Sequence, residues 1–586
     1  DQRTNPYNLL NQSGYTKTWS ASVQSKVQLE QKLDFITKGL SFQAKVAFNT
    51  RHKYKPLGSS YNQMLWSFHP EYLGTDRNPW ERKSEDEFFW HEVPEPGLSV
   101  GGLTNYNNSL NYEFALNYKR NFGNHYVTGL ALMNRNIENV TTEYPYLYES
   151  WVGRITYDYA HKYLLEVNMG YTGSERFSPN NRFGFFPSGA IGWVVSEEKF
   201  FKENVSWISK LKFRYSDGLI GSDNANSRWL YISEFSRSGS NIVEDKGANL
   251  YAQWEEARKQ DFGIELGFFD NDLTLNVDLF KEKRENILLS PRYNFLVANA
   301  FKDLNKGRIK KHGYEVEIGY RHRTQYGLSY GLKGMLSFSE NRILERDDLP
   351  YAPDYMKQAG KPFGSKTDGQ ITIDGNFFNS IDESHIYPST QTSSYLLSLG
   401  SYKYLDYNSD GVIDKNDLFC INGSNYAPYV FSLSGEISYK NFAVSMLWSG
   451  NIGKYVTYRR SFFAEFPDTE VKLYENMVDH WTPDNHDATH NGMGTQNIDL
   501  GKEAYMEGFN WQRANYIKLT DLNVSYRFKS KALDRALGIR QIKVFFTGHN
   551  LLLFTELPMG DPESKIFDYG SYPQMASARL GLNIDF

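Results

Sequence analysis

The sequence predicts an all-β chain, a transmembrane antiparallel β-barrel, and three observations carry that prediction. Apolar and polar side chains alternate with a period of two from one end of the chain to the other. Aromatic residues make up 16% of it, with 42 Tyr, 39 Phe and 12 Trp, and tyrosine suits a membrane interface, where the ring meets acyl chains and the hydroxyl meets water. The closing segment Leu580-Gly581-Leu582-Asn583-Ile584-Asp585-Phe586 has one oily face and stops on a phenylalanine, the form of the last strand of a bacterial outer-membrane barrel.

The strands can be justified in order. Leu40, Phe42, Ala44, Val46 and Phe48 fall on one face, with Ser41, Gln43 and Lys45 on the other. Ile155, Tyr157 and Tyr159 lead through Ala160-His161-Lys162 into Tyr163, Leu165, Val167, Met169 and Tyr171. Leu273, Leu275, Val277 and Leu279 interleave with Thr274, Asn276 and Asp278, and Tyr314, Val316, Ile318 and Tyr320 with Glu315, Glu317 and Gly319. Leu328 to Phe338 extends the pattern, and Phe431 to Trp448 reads as a hairpin turning at Lys440-Asn441. Strands of this length, oily on one face and polar on the other, fit tilted transmembrane strands around a watery lumen. Three segments lack alternation, roughly 52–110, 340–400 and 455–510, and read as long functional loops within a single domain spanning 1–586.

Composition narrows the function classes. No apolar run is long enough for a membrane helix. A formal charge of -5 argues against nucleic acid as a partner. Cys420 stands alone, so there is no internal disulfide framework. The motifs of a zinc protease, a nucleophile elbow, a phosphate loop and a Cys-x-x-Cys pair are missing, and no enzyme is expected. Glu197 and Glu198 point apart on an extended chain, and His480, His486 and His490 read as a solvated loop. The start, Asp1-Gln2-Arg3-Thr4-Asn5-Pro6, is polar and reads as the interior of a longer protein or the site of a removed leader.

One stretch carries metal chemistry. Asp406, Asn408, Asp410, Asp414 and Asp417 fall at positions 1, 3, 5, 9 and 12 of a calcium-type loop, with Gly411 at the sharp turn and the carbonyl of Val412 at position 7. A hard cation wants such a set of oxygens, so structural Ca2+ is expected there, outside any EF-hand; the alternative is a solvated acidic turn. Tyr61, Trp66, Trp80 and Trp90 crowd one long loop region as candidate substrate contacts, through stacking on sugar faces or holding of peptide side chains, unless they pack the loop itself.

Several segments together resemble the SusC/RagA family of TonB-dependent outer-membrane transporters. They are residues 171–201, with Pro179-Asn180-Asn181 and Gly192-Trp193, then Leu211 to Tyr215 followed by Gly221-Ser222-Asp223-Asn224. Asn305-Lys306-Gly307-Arg308, His312-Gly313-Tyr314-Glu315, Gly548-His549-Asn550-Leu551, Gly560-Asp561-Pro562-Glu563 and Tyr572-Pro573 continue the match in order. The resemblance implies active import of a glycan or an oligopeptide, a SusD-like surface lipoprotein as partner, energy from TonB, and a wall embedded in outer-membrane lipid. The family's plug and N-terminal extension are not recognisable here. At roughly one strand per 40 residues the chain supplies about 14–16 of about 22 strands, so a separate N-terminal portion is expected to provide the plug and the remaining wall. A passive porin and a soluble glycan-binding β protein are the alternatives.

Overall fold

The structure, a computed structural model, describes residues 17–57, 66–68, 70–75, 80–82, 103–140, 144–225, 228–239, 241–291, 300–349, 351–364, 366–370, 373–390, 399–400, 402–417, 419–421, 423–458, 478–489, 492, 511–557, 560–564, 566–567 and 574–586. It divides into a smaller unit (1–120, 129–153 and 171–175) and a larger one (121–128, 154–170 and 176–586). Among the described residues seventeen long strands are strands of antiparallel sheet, one beyond the upper end of the expectation. The tight turns that join many of them consume fewer residues than the assumed spacing allowed.

The smaller unit holds β1 (Lys17–Lys32), β2 (Leu40–Leu57), β3 (Leu103–Phe122), most of β4 (His125–Val140) and the first part of β5 (Tyr146–Tyr159). The register sets Val27 opposite Val46 and Ala44 opposite Phe114. Because side chains alternate, Val27, Val46 and Phe114 share one face, and all three are exposed. The opposite face carries Lys45 paired to Glu113 at 3.4 Å. The β1–β2 turn needs Gly39, which has φ +88° and no room for a side chain: a Cβ there would lie 2.0 Å from the Lys119 carbonyl oxygen.

The larger unit continues with most of β6 (Tyr163–Ser174), β7 (Phe183–Val194), β8 (Ile208–Ser222), β9 (Glu255–Phe268), β10 (Leu273–Leu289) and β11 (Leu304–Arg323). It ends with β12 (Leu328–Glu345), β13 (Tyr429–Tyr439), β14 (Phe442–Ile452), β15 (Tyr516–Phe528), β16 (Gln541–Thr555) and β17 (Ser577–Asp585). From β7 onward each strand is registered antiparallel with the next. The hairpin expected at Lys440-Asn441 is present, with Tyr439 opposite Phe442. Ala160 and His161 turn with φ of 52° and 61°, steadied by Asp158, whose carboxylate accepts the His161 N–H at 2.7 Å.

Turns are tight at one end of the strands and long at the other. The expected loops are shorter than alternation suggested: β2 runs to Leu57, β3 begins at Leu103 and β12 runs to Glu345. Beyond the apolar zone both faces of these strands are polar, as at Asn49, Arg51, Asn107 and Asn108, so the period-two signal fades while the ladder continues.

Leu332, Leu336, Leu433, Ile437, Met446 and Val544 are exposed along one face of the larger unit. Aromatic rings bound this apolar band. Tyr320 and Tyr330 lie 5.9 Å apart toward the tight turns, and Phe338 lies 4.8 Å from Tyr429 toward the loops. From Tyr330 to Phe338, at about 3.3 Å per residue and a tilt near 45°, the band is roughly 20 Å tall, close to the hydrocarbon span of an outer membrane.

A separate core sits at the loop end. Phe177, Leu230, Ala252, Trp254 and Leu288 are buried together, with Phe186 edge-on to Trp254 at 5.3 Å. Around it Lys302, only 2% exposed, donates to the Trp229 carbonyl at 2.9 Å and pairs with Glu234 at 3.1 Å.

Gly313 gives the fold its first test. A Cβ at this position would meet the Phe338 carbonyl oxygen at 2.0 Å and the Phe280 ring at 2.6 Å. Gly313→Val should therefore break the β11–β12 ladder locally and cost at least the about 1–3 kcal/mol of an overpacked site. The variant is expected to lose its heat-modifiable migration in detergent gels at a lower temperature than the parent chain.

Candidate functional site

The sheet's polar face is the surface on which a ligand can be held. In the larger unit its charges neutralise one another. Arg214 lies at the centre, 2.9 Å from Asp261 and 3.5 Å from Glu265, with Asp278 on its other nitrogen. Lys210 and Lys212 also reach Glu265, at 2.6 and 3.2 Å, and Lys333 pairs with Glu317 at 2.9 Å. Half-exposed pairs of this kind contribute about 0–1 kcal/mol each, so the ladder chiefly cancels charge along the wall. Nearer the tight turns the same face is indented by hollows of about 420 and 500 Å³, lined respectively by Thr274, Glu317 and Lys333 and by Ser445, Asn523 and Thr547.

In the smaller unit the polar face is different. Toward the loop end Asn111 and Asn134 exchange amide hydrogen bonds at 3.3 Å, Ser109 donates to Asn136 at 3.2 Å, and Asn107 donates to Glu138 at 2.8 Å. These are residues that sequence reading did not single out. The available signal was the polar run Asn107, Ser109 and Asn111 at alternate positions.

The motif segments prove to be ties at the loop end. The Asn305 amide donates to the carbonyls of Gln253 and Asn286 at 2.8 and 2.7 Å, and its oxygen accepts the Gln253 N–H at 3.0 Å. Trp254 donates to the Arg182 carbonyl at 3.0 Å. Lys454 donates to the Pro562 and Ser564 carbonyls at 2.6 and 2.9 Å, while Glu563 receives Lys518 at 2.6 Å and the Tyr516 hydroxyl at 2.9 Å. The Asn305, Trp254 and Lys454 ties satisfy backbone carbonyls that a loop would otherwise leave bare.

The Asp406–Asp417 segment closes on itself. Asp417 is fully buried and accepts the N–H groups of Tyr407 and Asn408 on one oxygen and of Asp414 on the other, at 2.8, 3.2 and 2.7 Å. Asp406 accepts from Asp410 and Gly411 at 3.2 and 2.8 Å, and Asp410 from Val412 at 2.8 Å. Asp414 accepts the Asn416 N–H at 2.7 Å, and the Asn408 amide donates to Asp410 at 2.9 Å. Gly411 supplies the sharp turn at φ +86°. Each carboxylate keeps lone pairs beyond those in use. Among the described residues, however, no three acidic, imidazole or thiol side chains converge as a metal site. The charge is concentrated all the same: burial first, then the field of Asp417, Asp410 and Asp414, push the Tyr355 phenol above its ordinary range.

Other expected positions are placed as follows. Trp66 and Trp80 lie on short strands, Trp66–Phe68 and Trp80–Arg82, whose backbones pair antiparallel. Tyr61, Trp90 and His490 lie outside the described residues. His486 stacks on Trp481 at 5.9 Å and His480 contacts the Val478 carbonyl. Glu197 and Glu198 do separate: Glu197 pairs with Lys202 at 2.6 Å, while Glu198 accepts from Lys162 at 2.8 Å, Tyr163 at 2.7 Å and Trp193 at 3.4 Å.

An exposed apolar band between aromatic rings, a charge-cancelling polar face, and turns short at one end and long at the other define a β-barrel wall of the outer membrane. No family model matches the chain. It is 26% identical over 469 residues to TonB-dependent receptor P3 of Formosa agariphila, covering 74% of this chain and 45% of that protein. To TonB-dependent receptor SusC of Bacteroides thetaiotaomicron it is 24% identical over 461 residues, covering 75% and 43%. The structure of the RagAB peptide transporter superposes with a TM-score of 0.70 at 16% identity, covering 97% of this chain and 62% of that one. The chain is thus similar, over about three quarters of its length, to TonB-dependent receptors, SusC among them, and it spans about half the length of the curated relatives it matches.

Two outcomes test the site's framework. Asp417→Ala strands three N–H groups, at about 1–3 kcal/mol for a buried donor left unmade. Limited proteolysis should then cut within 402–417 at protease levels that leave the parent chain intact. Lys162, then Tyr163, hold the Glu198 carboxyl below the ordinary glutamate range. A depressed carboxyl stabilises the fold above its unfolded value and ceases to do so as pH falls through its folded one. Fluorescence assigned to Trp193, by difference from Trp193→Phe, should hold steady at neutral pH and shift only below about pH 4.3.

Proposed function

We propose that this chain is most of the wall of an outer-membrane importer that takes up a nutrient oligomer, glycan or oligopeptide, with energy from TonB. The observation that supports it best is the wall itself: a lipid-facing apolar band backed by a polar face that offers hydrogen bonds and little net charge. The likeness to SusC and to the RagAB peptide transporter supports a surface lipoprotein of the SusD type as partner. The chain spans about half the length of the curated relatives it matches. An incomplete wall in lipid would leave backbone groups unpaired at several kcal/mol each, so an N-terminal portion, carrying the plug and the TonB contact, is expected to complete it. The role is transport and binding rather than catalysis, in keeping with the receptor names of the relatives.

Structural calcium belongs to the same proposal. The negative field around Tyr355 and the unused lone pairs of Asp406, Asn408, Asp410, Asp414 and Asp417, with the Val412 carbonyl, support Ca2+ at that loop. Calcium is then expected to raise the thermal midpoint of the purified protein, and Asp406→Ala to abolish the increment; equal midpoints with calcium and with chelator would remove the ion from the account.

Extraction from native outer membranes in mild detergent, with mass spectrometry of what co-purifies, tests the importer. A plug-bearing polypeptide and a SusD-like lipoprotein are expected in stoichiometric amount, together with uptake that stops when the proton gradient is collapsed. Recovery of this chain as a closed barrel that conducts passively would make it a porin. Monodisperse behaviour without detergent would make it a soluble binding protein.

A further inference from the structure

We propose that a row of cations on the lipid-facing side of β9 to β12, just beyond the aromatic rings at the loop end, holds the phosphate groups of lipopolysaccharide, the acylated glycolipid of the outer leaflet. The inference goes beyond the importer reading and needs only that the chain is an outer-membrane wall.

The register builds the row. Phe262, Leu279, Tyr314 and Phe338 stand opposite one another in turn, and with Tyr429 at 4.8 Å from Phe338 they close the apolar band at the loop end. Side chains two and four residues farther along each strand point to the same face. Two residues on, the row reads Gln260, Lys281, His312 and Glu340; four residues on, it reads Arg258, Lys283, Lys310 and Arg342. The His312 ring lies edge-on to Phe338 at 6.4 Å, and the Gln260 amide donates to the Tyr215 hydroxyl at 3.2 Å, as side chains on the ring-bearing face must. At about 3.3 Å per residue and a tilt near 45°, the two rows lie roughly 5 and 9 Å beyond the rings, at the depth of lipid headgroups. Long loops of such barrels face outward, so this end meets the outer leaflet.

Four cations in one line are unfavourable by themselves, because like charges directly opposite on neighbouring strands repel. Nearby carboxylates relieve part of this. Arg258 reaches Asp217 at 2.6 Å, Lys283 pairs with Glu285 at 2.8 Å, and Arg342 pairs with Glu340 on its own strand. Lys281 and Lys310 are exposed and have no carboxylate partner among the described residues. With Lys283 they form a triangle on two adjacent strands, Lys310 directly opposite Lys283 and Lys281 two residues before it. Three ammonium groups so placed suit a phosphate, whose charged oxygens accept several hydrogen bonds at once. The next row outward is acidic, with Glu256 opposite Glu285, which confines an anion to the depth of the lysines. A lipid is held there by both ends, its acyl chains on exposed Phe262 and Leu279 and its phosphate on the lysines. A free phosphate gains only the second contact. The row of four cations spans roughly 14 Å at about 4.8 Å per strand, a width that fits the broad, many-chained head of lipopolysaccharide better than a single phosphoglycerol.

The test uses the full transporter, purified in mild detergent and washed free of lipid, with four probes: lipopolysaccharide, the same lipopolysaccharide dephosphorylated, phosphatidylglycerol and inorganic phosphate. Lipopolysaccharide is expected to bind saturably, and more weakly as salt rises. Lys310→Gln should weaken it roughly fivefold, and Lys281→Gln, Lys283→Gln and Lys310→Gln together on the order of a hundredfold, as lysines near an anionic lipid surface imply. Lys311→Gln, the same charge change on the opposite face, is the control that should bind as the parent does. Heat-modifiable migration shows that each variant is folded. Full binding by the folded triple variant overturns the inference, and so does equal binding of the dephosphorylated form. Phosphatidylglycerol or inorganic phosphate binding as tightly as lipopolysaccharide overturns it too, as does absence of binding to all four probes. Each of these leaves the importer reading standing; a transporter that binds lipopolysaccharide but imports nothing under a proton gradient sinks that reading instead.

Discussion

Backbone hydrogen bonding in a medium without water governs this molecule. Lipid offers no partner for an N–H or C=O group, so every strand that crosses must be laddered to a neighbour for its whole membrane length. The consequences reach far into the sequence. Glycines occur where strands approach too closely for a Cβ, as at Gly313 against Phe338 and Gly39 against Lys119. The oily side chains turn outward, so that Leu332 and Ile437 are exposed while the face behind them is polar. A soluble protein with the same composition would reverse that arrangement.

With its apolar surface committed to lipid, the wall has little left for an internal core. Tertiary stability outside the ladder is gathered at the loop end, where Phe177, Leu230 and Trp254 pack and where Asn305, Lys302 and Lys454 reach carbonyls of distant segments. Buried lysines there are paired or bonded rather than bare, as the cost of burying an ammonium demands. The motif residues that make this chain resemble its relatives are largely these ties. They hold the loop end of the wall in shape.

Much of this was legible beforehand. The strand faces at Leu40–Phe48, Leu273–Leu279 and Tyr314–Tyr320 and the hairpin at Lys440-Asn441 are where alternation put them, because the period of two is a local property of an extended chain. The strand ends at Leu57 and Leu103 were not legible, since alternation vanishes once both faces meet water. The acidic spacing of 406–417 reads as a calcium-type loop or a solvated acidic turn, and the structure shows its carboxylates holding the loop's own N–H groups.

What the sequence by itself determined is the class: alternation, tyrosine content and a terminal aromatic strand specify a β wall in an outer membrane, because each reflects how a side chain meets lipid or water. Register was decided only in three dimensions. Nothing in the order of residues sets Arg51 beside Asn107, Asn111 beside Asn134, or Arg214 among Asp261, Glu265 and Asp278. Cross-strand neighbours far apart in sequence are chosen by which pairing keeps every oily residue on the lipid side, and a slip of one residue would turn each of them inward.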